Sequence, residues 1–141
     1  MKYLLTILLC TSYICSYSQD IPKNAETIVI KGVSFLDMCN RLLDSGYVIA
    51  TKDNDLQTVT TVKKEYPRYW NGTYYITIRV KDSAAMLKVL YEMPLGNGTG
   101  FYLVNKKGKP QLKSNVTVPW LEGYKIANSF GLPLEFLIAK D

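Results

Sequence analysis

The 141-residue chain contains no histidine. That absence removes the commonest general base, the Ser-His and Cys-His nucleophile pairs and the commonest zinc ligand. Cysteine is scarce too: of three, Cys10 and Cys15 lie in the first twenty residues and only Cys39 lies beyond. One thiol forms no internal disulfide, so a hydrophobic core must hold the fold. Cys39 has no base to activate it, and its place on an apolar stripe marks it as a buried structural cysteine. Internal repeats, low-complexity tracts and a second long apolar segment are all missing, which excludes solenoids, repetitive linkers and a membrane span in the body of the chain.

What is present begins at the amino end. "MKYLLTILLCTSYICSYSQD" has a lysine at its start, an apolar run from Tyr3 to Cys10 and a more polar end. This is the layout of a secretory signal peptide, with a run too short to cross a bilayer. Ser16 and Ser18 are small enough for the minus-three and minus-one sites, which places the cut between Ser18 and Gln19. The expected product is exported to the periplasm, the cell surface or the medium. A lipid anchor on Cys15 is the lesser reading, because Ile14 is too large for the site before an acylated cysteine. The expected organisation is a signal peptide over 1–18, a leader over 19–25 and a single domain over 26–141, long enough for one core.

Losing Lys2 leaves 16 of the 17 basic side chains against 12 acidic ones, a net of +4. Lys106, Lys107, Lys109 and Lys113 read as a solvated turn, and no nucleic-acid partner is expected. "ETIVIKGV" (26–33) reads as a strand. In "SFLDMCNRLLDSGY" the period changes to that of a helix: Ser34 and Asp37 have capping-box spacing, and Phe35, Met38, Cys39, Leu42 and Leu43 line one face. Gly46 stands where a left-handed cap belongs. "YVIATK", "LQTVTTVKKEY", "YYITIRVKD" and "AMLKVLYEM" follow as strands joined by short connections, an antiparallel meander. On the third of these, Tyr74, Ile76, Ile78 and Val80 form the dry side. "FYLVN" adds a short edge strand, "PWLEGYKIANSF" (119–130) a second helix with Gly131 as cap, and "LPLEFLIAK" a last strand. The expected fold is α+β, two-layer, with an antiparallel meander sheet of five to six strands and two helices packed on one face, in the order β-α-β-β-β-β-α-β.

This order, with "KGVSFLDMCNRLLDSGYVIATKD" (31–53) and "TYYITIRVKD" (73–82), resembles small exported bacterial proteins of unknown function. The layout is also similar to bacterial domains described as TATA-binding-protein-like or helix-grip. The resemblance implies that fold and an exported setting, and it brings no catalytic residue.

Motifs with chemical meaning are few. "DND" (53–55) is similar to the opening of a calcium loop, yet Gln57 and Thr58 stand where a third ligand and the required glycine belong, so a β-turn explains it better. "GNGTG" (96–100) leads into a strand rather than a helix, unlike a phosphate-cradling loop. Asn71, Asn97 and Asn115 begin N-x-T sequons, and two of these are Asn-Gly-Thr, a turn composition. Acids such as Asp53, Asp55, Glu65, Glu92 and Glu122 leave a carboxylate-based hydrolase as the last of three readings. No cofactor, metal or catalytic residue is expected.

"YPRYWNGTYY" (66–75) is the densest aromatic stretch. Tyr66, Tyr69 and Trp70, with Trp120, are the candidate ligand-binding residues, because exposed rings stack on sugars and grip peptides. The same rings would also close a small core, and that covering role is the preferred reading for Tyr66, Tyr69 and Trp70. The leading expectation is an exported non-enzymatic domain that binds an envelope or extracellular macromolecule or serves in an assembly. Small-ligand or glycan binding between helix and sheet stands as its alternative.

Overall fold

The structure, a computed structural model, describes residues 21–22, 24–66, 72–92, 101–102 and 117–138. The signal-peptide and cleavage-site expectations lie outside these residues. Elements run β1 (Ala25–Lys31), α1 (Phe35–Asp44), β2 (Ile49–Asp53), β3 (Thr58–Thr61), β4 (Lys64–Tyr66), β5 (Gly72–Lys81), β6 (Ala84–Glu92), β7 (Phe101–Tyr102), α2 (Thr117–Asn128) and β8 (Leu134–Ile138).

The fold is α+β, with two helices and an antiparallel sheet. Among the described residues the sheet has eight strands rather than the expected five to six. The difference is a matter of interruption. The expected strand over 56–66 breaks at Val62 and Lys63 into β3 and β4, which pair with successive stretches of β5. The short edge strand expected at "FYLVN" is β7, which pairs with Leu90 and Tyr91 of β6, beyond the part of β6 that β1 occupies. The path across the sheet is β2-β3-β5-β6-β1-β8, so the first strand ends up inside, between β6 and the last.

Strand alternation builds the core. Tyr74, Ile76, Ile78 and Val80 of β5 and Ala85, Leu87, Val89 and Tyr91 of β6 are buried on one face, with Ile28, Ile30, Val59 and Leu134 beside them. Helix α1 covers the β2–β5 side and α2 the β6–β1 side. The α1 entry is fixed by its capping box: Ser34 Oγ accepts the Asp37 N–H at 3.1 Å while the Asp37 carboxylate accepts the Ser34 N–H at 3.2 Å. The Ser34 hydroxyl, donating to the Asp37 carboxylate at 2.6 Å, and then the Ser34 N–H hold that carboxyl below the usual carboxylate range. Its exit is a Schellman motif: Gly46, at φ +75°, donates to Leu43 and Tyr47 to Leu42. Phe35, Met38, Cys39 and Leu42 are buried as expected, but Leu43 is 53% exposed, because the stripe drifts round the helix over its last turn. Helix α2 starts at Thr117, two residues before Pro119. Gly123 lets it approach the sheet closely, since a Cβ there would lie 2.6 Å from Val89 and 2.8 Å from Leu87.

Candidate functional site

The β2–β3 and β5–β6 turns lie at one end of the sheet, and Gly72, Tyr74 and Tyr91 lie at the other. At the aromatic end, β5 opens with Gly72 because the Tyr91 ring of the neighbouring strand occupies the place of a Cβ. Tyr74 lies in register with Tyr91 on the helix-covered face. The Schellman exit of α1 turns Tyr47 inward, where it is buried, and Lys64 of β4 holds its ammonium 3.5 Å from the centre of the Tyr47 ring. That contact is a cation–π pair. From α2, Trp120 stacks on Tyr124 with centroids 5.8 Å apart, and Phe136 of β8 closes the group at 6.2 and 6.4 Å.

Two polar atoms in this region are buried without a hydrogen-bond partner: the Tyr47 hydroxyl and Trp120 Nε1. Burial pushes the Tyr47 pKa far up, and the Tyr74 hydroxyl and Glu122 carboxylate beside it push the same way without completing a hydrogen bond. Tyr74 is raised as well, chiefly by burial. Both phenols therefore stay protonated as donors at neutral pH. Glu122 sits at the rim, 2.7 Å from the Lys125 ammonium. Burial likewise raises the Cys39 thiol, with Lys52 pulling it partly back, so the thiol is unreactive.

Of the four candidate residues, Trp120 is fully buried in α2. Tyr66 is the last residue of β4, its backbone paired with Gly72. Tyr69 and Trp70 lie outside the described residues. Sequence reasoning missed Tyr47, which it placed in a strand, and Tyr74 and Glu122 as neighbours of Tyr47. One signal for Tyr47 was available, since the residue after a Schellman glycine commonly turns back onto its helix.

No helix covers the other face of the sheet among the described residues. Thr51, Thr60, Thr77, Lys88 and Thr27 follow one another in direct register across five strands, and Leu137 continues the row on β8. Thr60 and Thr77 share a hydroxyl–hydroxyl bond of 3.4 Å. Three ion pairs bridge this face: Lys88–Glu26 at 2.7 Å, Lys31–Glu135 at 2.6 Å and Lys63–Glu92 at 2.5 Å. Thr27 and Val29 on this face are buried although no described helix lies above them. Arg79 and Lys81, by contrast, have no ion pair among the described residues and carry their charge into solvent.

At the turn end, a groove of about 280 Å³ runs between α1 and the α2–β8 connection. Arg41 lies on the Phe130 ring there at 4.8 Å, flanked by Asp37 and Asp44. Among the described residues no three acidic or cysteine side chains are placed to hold a metal, and no described helix is long and apolar enough to cross a membrane. Comparison with protein-family models and with curated proteins finds no match.

Proposed function

We propose that this chain is an exported, non-enzymatic domain that binds an envelope or extracellular macromolecule through the uncovered face of its sheet. The observation that carries the reading is the row Thr51, Thr60, Thr77, Lys88 and Thr27 in unbroken register across five strands. Its accessible members Thr51, Thr60, Thr77 and Lys88 form a platform with hydrogen-bonding capacity, beside the partly buried apolar side chains Met86 and Leu90 on β6, while Thr27 lies buried beneath it. A platform of this kind suits a large, flat partner better than a small molecule, which needs a concave site. The helix-grip resemblance belongs to the same proposal.

The test is retention of the protein by envelope and extracellular fractions of the producing cell. Thr77→Glu with Met86→Glu on the open face abolishes retention, while Leu36→Glu on α1 leaves it intact. Equal retention of all three forms, or turnover of a substrate by the purified chain, overturns the proposal.

A second reading, a small ligand held between helix and sheet, is supported by the two unpartnered polar atoms, Tyr47 hydroxyl and Trp120 Nε1. A ligand reaching Trp120 would change its fluorescence. A flat response to a panel of oligosaccharides and apolar compounds removes this reading.

A further inference from the structure

The groove at the turn end holds an arginine that no acid takes up. Asp37, Asn40, Arg41 and Asp44 stand at i, i+3, i+4 and i+7 of α1, one stripe of a helix, and that stripe is the polar wall. Val33, Phe130 and Leu132 supply the apolar lining. Both sides are fixed in place. The capping box sets the first turn of α1, and tight turns follow α2: the Phe130 N–H donates to the Ala127 carbonyl at 3.3 Å, and Gly131, at φ +65°, to that of Asn128 at 3.0 Å. The Phe130 ring packs against the hydrophobic core as well.

Arg41, only partly exposed, lays its guanidinium on that ring at 4.8 Å. The stack uses the flat face of the group and leaves its N–H edge for an acceptor. Among the described residues nothing accepts from that edge: Asp37, one turn before, and Asp44, one turn after, form no ion pair with it. Asp37 receives the N–H and the hydroxyl of Ser34 on the same oxygen, Oδ2, and Asp44 has no bonded partner among the described residues.

We infer that this groove binds a free amino acid with an aliphatic side chain, its carboxylate on the Arg41 guanidinium, its ammonium on Asp44 and its side chain on Phe130 and Leu132. One carbon of an amino acid carries both charges, so its site needs a cation and an acid close together. Arg41 and Asp44 are separated by about 4.5 Å along the helix axis. The guanidinium edge matches a carboxylate with two parallel hydrogen bonds. A phosphate or a polyanion fits worse, because Asp37, Arg41 and Asp44 together carry one negative charge and the acids repel it. The volume of about 280 Å³ suits a small ligand rather than a macromolecule. No residue is shared with the open face of the sheet, so either site can fail without the other.

The test adds L-leucine to the full chain as its cell processes it and follows amide chemical shifts, which move along α1 and at 129–132. Leucinamide, without the carboxylate, and N-acetyl-leucine, without the ammonium, each lose a charge-assisted contact and bind at least about tenfold more weakly. Arg41→Gln weakens leucine binding by at least about tenfold as well. Asp44→Asn weakens the binding of leucine but not that of N-acetyl-leucine, which has no ammonium to hold. Asp44 is exposed, so this variant decides the matter even where Arg41→Gln folds poorly. Unmoved shifts up to the solubility limit of leucine, N-acetyl-leucine binding as tightly as leucine, or leucine binding indifferent to Asp44→Asn each overturns the inference.

Discussion

At one end of the sheet the chain reverses through turns whose backbone groups satisfy one another; at the other, rings fill the space between helix and strands. In the first, the Asp53 carboxylate accepts the N–H groups of Asp55 and Leu56 at 2.9 Å, Asp82 and Ser83 join β5 to β6 in two residues, and the Gly32 N–H reaches the Ser83 carbonyl at 2.8 Å. In the second, Tyr74 and Tyr91 are buried in direct register with Tyr47 beside Tyr74, Trp120 is buried against Tyr124 and Phe136, and two polar atoms are left without partners. Local hydrogen bonds close one end and long-range apolar packing closes the other. Damage should therefore cost much more at the aromatic end.

Trp120→Ala puts the largest strain on this comparison. Removing a fully buried ring and leaving a cavity costs about 4 kcal/mol, whereas Leu56→Ala in the exposed Asp53 turn changes stability by less than about 0.5 kcal/mol. Urea unfolding of the two variants checks it, and equal losses would erase the distinction. Gly72→Ala comes next. Its new methyl group would fall inside the Tyr91 ring, and the forced shift costs about 2 kcal/mol, read as a lower denaturation midpoint with an unchanged slope.

Tyr47→Phe has a smaller effect and the opposite sign. Deleting a hydroxyl that is buried and unpartnered raises stability at neutral pH by about 1 kcal/mol. A phenol whose pKa is raised by folding holds its proton in the native state after the unfolded chain has lost its own, so it favours unfolding as pH rises past the ordinary tyrosine pKa of about 10. The variant consequently unfolds at higher pH than the parent in an alkaline titration followed by circular dichroism. At the turn end, Ser83 holds φ +57°, a left-handed conformation that glycine adopts freely. Ser83→Gly raises the melting temperature slightly, by about 0.5 kcal/mol of stability net of glycine's greater freedom in the unfolded chain.

The same contrast explains what was legible beforehand. Helix α1 announces itself through Ser34, Asp37 and Gly46, because capping chemistry is local and specific to residue type. Strand β5 does so through strict alternation. The break between β3 and β4 falls at Val62 and Lys63, neither a glycine nor a proline, so nothing in the local sequence marks it. Leu43 misleads for a related reason, since it adjoins Leu42 on the apolar stripe but lies just past the width that the sheet covers. Of the aromatic cluster, Trp120 is recognisable as important. Its company is not, because Tyr47, Tyr74, Glu122 and Phe136 come from separate elements that only the finished sheet brings together.

The position of β1 bears on timing. The earliest strand to be made is held between β6 and the final five-residue strand, so neither of its partners exists until most or all of the chain has been delivered. Pairings between such distant segments form slowly. A polypeptide emerging amino end first from a ribosome therefore carries β1 without a sheet partner until β6 has followed it, and β1 gains its second neighbour only with β8.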